Sequence, residues 1–432
     1  MWNANELIVL SDIHLAADSD TGSFQADRDL ADCLRWILTE TRDSVIVIAG
    51  DFLDLVDATN CISGCVSGRY TCYTKQIVDH HPEVFDAVKS LAQSSRHHLV
   101  ILGGEHDSEL LFPDVRETLE RRLGIGLFQP AVRWLVQQEA LRMQVGNAVV
   151  IVEHGNVLDP WNRIDYNSLH LDLSLHSRNL IAPNAHQPPL GRRLITKVIN
   201  ALHSDYKWTK WLKPANELVL PLLWSVSGGR QKKELRQLAE DYLSIKTFAL
   251  NKNHSSDPTT LYYGEKETEQ VSKDRAFEEW IDAIYSPPQE KDNLSPLYGK
   301  LLETTRLISG RDTFLDVEQP DSSVKYLKPV FDSGADVVIH GHTHAAKALS
   351  VGKGIYMNTG TWSQILPVPK SFESDGVWMQ FLEHLRTNEL NSFLRPTFAY
   401  VQHQPDKATT TATLFEWRES QPIILAKHGC GK

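Results

Sequence analysis

Short groups of Asp, Glu and His recur along this chain in a fixed order. They read Asp12-Ile13-His14, Gly50-Asp51-Phe52-Leu53-Asp54, Gly104-Glu105-His106-Asp107, His154-Gly155 and Gly341-His342-Thr343-His344. Carboxylates and imidazoles grouped in this way are the ligands that a pair of divalent metals needs. Asp12 and His14 lie two apart, so on an extended strand they point to one side and can reach one ion. Asp51 has two oxygens and suits a bridge between two ions. His342 and His344 are again two apart and can serve the two ions separately. Glu105 and His154 complete the second site. Two ions about 3.5–4 Å apart can hold a bridging hydroxide and both oxygens of a displacement at phosphorus. Metal binding also lowers the pKa of water, which yields a nucleophile at neutral pH. His106 is then the expected acid for the leaving oxygen, with Asp107 orienting it or raising its pKa. Asp54 is expected to support the site by a hydrogen bond or to cap the turn that follows it.

Each group follows an apolar run that reads as a buried strand. Glu6–Leu10 stops at Ser11-Asp12. Ser44–Ala49 is β-branched and stops at Gly50-Asp51. His98–Leu102 stops at Gly103-Gly104. Between them, Asp27–Thr39 carries Leu30, Leu34, Ile37 and Leu38 at helical spacing, and Glu83–Ala92 predicts a second helix. This is the strand–helix alternation of an α/β fold with a partly parallel sheet. Ligands of such sheets collect at the carboxyl ends of the strands. Val132–Val136, Leu141–Val145 and Val149–Val152 predict strands without helices between them, the last ending at His154. The pattern resumes with a helix over Ser323–Asp332 and a strand over Ala335–Ile339. Ala346–Val351 and Ile355–Asn358 predict a strand pair. The tail predicts strands at Val377–Phe381, Ala399–His403 and Thr411–Trp417.

The 432 residues can bury a substantial core, and the 41% hydrophobic and 23% charged content is that of a globular protein. The formal net charge of -11 argues against a general nucleic-acid coat. Met1–Leu10 shows no secretory pattern, and no apolar stretch is long enough to span a bilayer. Five cysteines argue against a disulfide framework. The expectation is a cytoplasmic protein whose membrane contact, if any, is peripheral. Cys61, Cys65 and Cys72, with His80 and His81 nearby, lack a strong zinc spacing and read as ordinary loop or core residues.

The ordered motifs resemble those of the calcineurin-like metallophosphoesterase superfamily, whose pattern is D-x-H, G-D-x-x-D, G-N-H-[ED], G-H and G-H-x-H. The resemblance covers about Leu7–His154 and Asp321–Trp362 and extends in expectation to the tail strands. It implies a four-layer αββα sandwich in the α/β class and a dinuclear site, with Mn favoured and Fe, Zn, Ni or Mg as alternatives. It also implies that Asp12, His14, Asp51 and His344 hold one metal. Asp51, Glu105, His154 and His342 would hold the other, with His106 as catalytic acid. Glu105 stands where the family has Asn. A third carboxylate lowers the net charge of the site, weakens phosphate binding and points to a less charged substrate such as a diester. Asn358–Trp362 resembles a segment of members that act on UDP-linked lipid A precursors. Those members depart at the Gly-Asn-His motif, where this chain keeps His106.

The resemblance leaves out residues 157–320, which read as a mainly helical inserted cap between core segments 1–156 and 321–432. Arg230–Leu250 predicts an amphipathic helix. Residues 192–236 are basic and aromatic, with Lys207, Trp208, Lys210, Trp211 and Lys213 close together and the apolar Leu218–Val226 following. That segment suits a nucleic-acid strand, a lipid-like surface, or tryptophans that simply pack the cap. The expected function is a metal-dependent phosphoric-ester hydrolase, a phosphodiesterase or pyrophosphohydrolase before a monoesterase. The alternatives are a nuclease subunit of an assembly and a non-catalytic interaction module that keeps the fold.

Overall fold

The computed structural model describes residues 2–18, 22–60, 66–125, 132–178, 188–213, 223–224, 227–251, 314–321, 323–367, 369, 375–389 and 392–430. The chain divides into two compact units. The first holds Met1–Pro189, Asp316–Gln364 and Leu394–Lys432, and the second holds Leu190–Leu315 and Ile365–Phe393.

The first unit is a mixed α/β sandwich built on two sheets. One sheet has seven strands: β2 (Glu6–Leu10), β3 (Ser44–Ala49), β4 (His97–Leu102), β5 (Val132–Leu135), β13 (Thr397–Gln404), β14 (Thr409–Arg418) and β15 (Gln421–Cys430). Their order is β15-β14-β13-β2-β3-β4-β5. Strands β2 to β5 pair in parallel. The other sheet has six: β1 (Trp2–Ala4), β6 (Leu141–Val145), β7 (Ala148–Val152), β9 (Val337–His340), β10 (Lys347–Val351) and β11 (Gly354–Asn358). Its order is β1-β6-β7-β9-β11-β10, with β7, β9 and β11 parallel.

Alternation along each strand builds two cores from one run of residues. In β2 and β3, Leu7, Val9, Val45 and Val47 join a buried cluster with Val150, Val152, Val337, Ile339 and Met357 of the other sheet. Ile8, Leu10, Ile46 and Ile48 face the opposite way, into a cluster with the helices. Those helices are α1 (Asp27–Glu40), α2 (Val66–His80), α3 (Pro82–Ala92) and α4 (Pro113–Leu123). Helix α5 (Tyr166–His176) adds Leu169 to the same cluster, together with Ile164. Full burial of one aliphatic side chain contributes about 1.5–3 kcal/mol, so strands buried on both faces hold their register strongly.

The second unit is largely helical where described. It contains the run α6 (Leu190–Leu194), a π turn over Ile195–Ile199 and α7 (Asn200–His203). It also contains α8 (Gly229–Asn251), α10 (Asp375–Thr387), and the two-residue strands β8 (Leu212–Lys213) and β12 (Leu366–Pro367), which pair in parallel. Helix α9 (Lys328–Asp332) belongs to the first unit.

Two expectations are corrected. Val377–Phe381 is part of helix α10, not a strand. Its β-prone composition is overridden because Phe381 and Leu385, four apart, are both buried on one helical stripe. Ser323–Asp332 is not one helix but a 3-10 turn, Val324–Tyr326, followed by α9. Strands β1 and β15 and helix α2 had not been expected. Among the described residues, no helix is long and apolar enough to cross a membrane.

Candidate metal centre

All seven expected ligands lie in the first unit, each just past the carboxyl end of a strand. Asp12 and His14 follow β2, Asp51 follows β3, Glu105 follows β4, His154 follows β7, and His342 and His344 follow β9. Because β2, β3 and β4 are parallel in one sheet, and β7 and β9 in the other, their exits meet at one end of the sandwich.

The loops are held in unusual backbone conformations. Asp12, His14, Asp51, His342 and His344 have φ of 51°, 58°, 52°, 68° and 60°. The left-handed region costs a non-glycine residue on the order of 1–3 kcal/mol, and surrounding bonds must enforce it. Here the β2 and β3 loops run side by side. Asp12 and His14 donate their backbone N–H to Gly50 O at 3.2 Å and Asp51 O at 2.9 Å. Gly341 is required by close approach: a Cβ there would strike Ser11 Oγ and Asp12 Oδ2. Gly50, at φ +86°, would drive a Cβ into the His154 ring.

The side chains converge. His344 Nε2 is 3.3 Å from Asp12 Oδ1 and 3.1 Å from His14 Nε2. His154 Nε2 is 2.8 Å from Glu105 Oε2, and His342 Nδ1 is 2.7 Å from Glu105 Oε1. Asp51 lies between the two sets. Among the described residues its Oδ2 makes no hydrogen bond of good geometry, yet it sits 3.7 Å from His14 Nε2 and 3.4 Å from His154 Nε2. Ligand atoms of Asp12, His14 and His344 fall within 4.8 Å of one another, and so do those of Glu105, His154 and His342. His154 Nδ1 is 2.8 Å from Ala49 O, so Nδ1 carries a proton, and Nε2, which here donates to the carboxylates, is the atom a bound ion would take.

Residues 6–218 match the family model for calcineurin-like phosphoesterase. Those residues belong to this superfamily. The match ends before His342 and His344, and the fold supplies those two through β9. Among solved structures, a Vps29 single mutant from Entamoeba histolytica is similar at 9% identity and TM-score 0.29, covering 98% of both chains. A phosphopantetheinyl hydrolase from Mycobacterium tuberculosis is similar at 9% identity and TM-score 0.26, covering 82% of this chain and 89% of that one. No curated protein matches the chain.

The metallophosphoesterase site suits cations. Asp12, Asp51 and Glu105 are buried, and among the described residues their ion pairs are all to histidines. Burial raises Asp12 to about 6, against the pull of His154. Burial opposes charge on His342, but Glu105 and Asp159 outweigh it and lift its pKa to about 10. His154 is likewise raised well above its usual value: burial opposes this, and Asp51 and Glu105 prevail. Protons thus take up the charge demand that divalent ions would meet. Glu105 stays ionised: burial pushes it up, but His342 and His154 hold it well below the usual range. It faces each histidine of its set with one oxygen, where an amide would offer a single oxygen.

One expected role is corrected. Asp107 does not orient His106. Its carboxylate is fully buried and accepts backbone N–H from Gly104 at 2.7 Å, Phe52 at 2.8 Å and Leu53 at 3.3 Å. It therefore ties the β3 and β4 loops together. The residue beside His106 is Asp54, with Oδ1 3.2 Å from His106 Nδ1, and the same oxygen accepts Val56 N–H at 3.3 Å. Burial lowers the His106 pKa, but Asp51 and Asp54 outweigh it and raise it to about 9. Asn358–Trp362 is buried behind the site. Thr361 Oγ1 and Trp362 N–H both donate to Asp12 O, at 2.8 and 3.1 Å. Its role in this fold is to shape the first metal loop.

Sequence reasoning missed Asp159, whose Oδ2 is 3.0 Å from His342 Nε2. It also missed Glu153, 2.9 Å from His340 Nε2. Asp159 lies outside every short motif, so only its position in the fold reveals it. Of the cysteines and histidines read as ordinary loop or core residues, Cys61 and Cys65 lie outside the described residues. His81 is bound to Asp27 Oδ1 at 2.6 Å and Ala16 O at 2.8 Å, as an ordinary buried histidine is.

Proposed function

We propose that this protein is a dinuclear-metal-dependent phosphoric-ester hydrolase that favours diesters or pyrophosphates over monoesters. The observation that carries the reading is the placement of Asp51 Oδ2 between the histidine sets of His14 and His154. Asp12, His14, Asp51 and His344 would hold one ion, and Asp51, Glu105, His154 and His342 the other. Mn is favoured, with Fe, Zn, Ni or Mg as alternatives. When bound, the ions supply Lewis acidity toward phosphoryl oxygens and a nucleophile from water at neutral pH. His106 keeps its proton beside Asp51 and Asp54 and delivers it to the leaving oxygen. Asp54 orients the ring through Nδ1. Glu105 supports the substrate preference, because a third ionised carboxylate reduces the net positive charge available to a dianionic monoester.

The test compares bis(p-nitrophenyl) phosphate with p-nitrophenyl phosphate under Mn, Zn, Mg, Ni or no added metal. Metal-dependent diester cleavage, weaker on the monoester, is expected. His106→Ala is expected to lose about 10²–10⁴-fold in rate while retaining its metals. Faster monoester turnover would overturn the preference. Turnover with no metal after chelation would overturn the reading itself.

The basic segment 192–236 gains no ligand from its geometry. Trp208 is buried, and its Nε1 donates to Leu385 O at 2.8 Å within the second unit. Residues 214–222, part of the apolar stretch expected at a lipid surface, lie outside the described residues.

A further inference from the structure

His342 is gripped from both sides. Its Nδ1 faces Glu105 Oε1 at 2.7 Å, and its Nε2 faces Asp159 Oδ2 at 3.0 Å. An imidazole that gives one nitrogen to a metal must carry its proton on the other, and the group accepting that proton selects the tautomer. Asp159 is well placed to be that acceptor. Its own geometry is fixed independently of His342. Oδ1 accepts Trp161 N–H at 2.9 Å, and Oδ2 accepts Asn162 Nδ2 at 2.8 Å. Asp159 N–H donates to Asn156 O at 3.0 Å, closing the turn that follows His154. Residues 153–159 thus leave β7 by supplying His154 and return a carboxylate to the ring at the end of β9.

We infer that Asp159 is a positioning residue for the second metal set, holding His342 as the Nε2–H tautomer with Nδ1 directed at the ion shared with Glu105 and His154. The inference rests on the proposed metal reading. Its specificity comes from a second pair in the same segment. Glu153 Oε1 lies 2.9 Å from Nε2 of His340, the last residue of β9 and two residues before His342. Yet His340 packs against Tyr356 and belongs to none of the grouped ligands. A histidine–carboxylate pair at this strand end therefore need not serve a metal. What singles out Asp159 is that its partner's other nitrogen faces Glu105.

The role predicts selective damage. The first set, Asp12, His14 and His344, includes no atom bonded to Asp159, so loss of Asp159 should weaken one ion and spare the other. Asp159→Ala should lower affinity for one of two Mn ions by about 10–100-fold, the usual effect of removing an outer-shell partner. Asp159→Asn keeps an acceptor oxygen without the charge and should recover part of that loss.

The experiment titrates the metal-free full chain with Mn, counting bound ions by equilibrium dialysis and following the two-ion state by EPR. It is paired with ¹⁵N chemical shifts of the His342 ring in the Zn-loaded protein. Thermal melts of each metal-free variant confirm that it is folded. One weakened ion, with loss of the Nε2–H signature, is the expected result. Two ions bound by Asp159→Ala with unchanged affinity, or equal weakening of both, would overturn the inference. Failure of the unsubstituted chain to bind two ions would instead overturn the metal reading. Should Asp159→Ala not fold, Asp159→Asn carries the same selective comparison.

Discussion

Two regions stand out in the sequence for their chemistry, and the structure treats them differently. The strand-end loops of the first unit bring seven separated Asp, Glu and His residues into grouped contact, five of them at positive φ. The basic and aromatic segment of the second unit resolves into ordinary packing where it is described. Trp208 is buried against α10, Arg193 pairs with Asp241 at 2.6 Å, and Lys232 and Arg236 lie over the Trp224 ring at 5.2 and 5.4 Å. The difference teaches that order and placement at strand ends are stronger evidence of a site than local composition is. A metal group needs convergence of ligands against backbone strain, whereas charged and aromatic residues satisfy one another wherever they meet.

The largest expected effect breaks the first region at its hub. Asp51→Ala should abolish binding of both ions, exceeding the roughly 10–100-fold expected of an outer partner. Retention of one tight ion by dialysis would show that Asp51 does not join the two sets. In the second region, Trp208→Ala should cost about 3–5 kcal/mol of stability in chemical denaturation, as a buried aromatic does. Unaltered stability would restore a ligand role for that tryptophan. The smallest effect concerns a histidine that belongs to neither region. His97 Nδ1 contacts Ser44 Oγ at 2.8 Å, and burial lowers its pKa below the usual 6.5. The unfolded chain then binds the proton first as pH falls through about 6.5, so the His97 contribution to stability is full above that pH and declines below it. Urea midpoints at pH 7.5 and 5.5 should converge slightly in His97→Gln; an unchanged gap would assign the pH slope to other groups.

Much of the site was legible because its residues are tied to local grammar. A β-branched run followed by Gly-Asp, or by Gly-His-x-His, marks a strand and its exit at once. Asp107 and Asp54 show where that grammar stops. Asp107 is the chain neighbour of His106 and Asp54 lies 52 positions away, yet the fold spends Asp107 on the N–H groups of Gly104, Phe52 and Leu53 while Asp54 meets the ring. Val377–Phe381 failed for a related reason. Its composition favours a strand, and the buried stripe through Leu385 that makes it a helix is a tertiary fact.

By itself, the sequence determined the α/β class, the sandwich strands that carry the motifs, and the identity and order of the candidate ligands. These follow from side-chain alternation and residue chemistry, which act over a few residues. Tertiary structure alone decided which carboxylate faces which ring, that Asp51 lies between two histidine sets, and that Asp159 reaches His342 across 183 positions. Those pairings depend on parallel strands from two sheets ending together, and on desolvation that makes a buried charge seek the partner the fold brings to it.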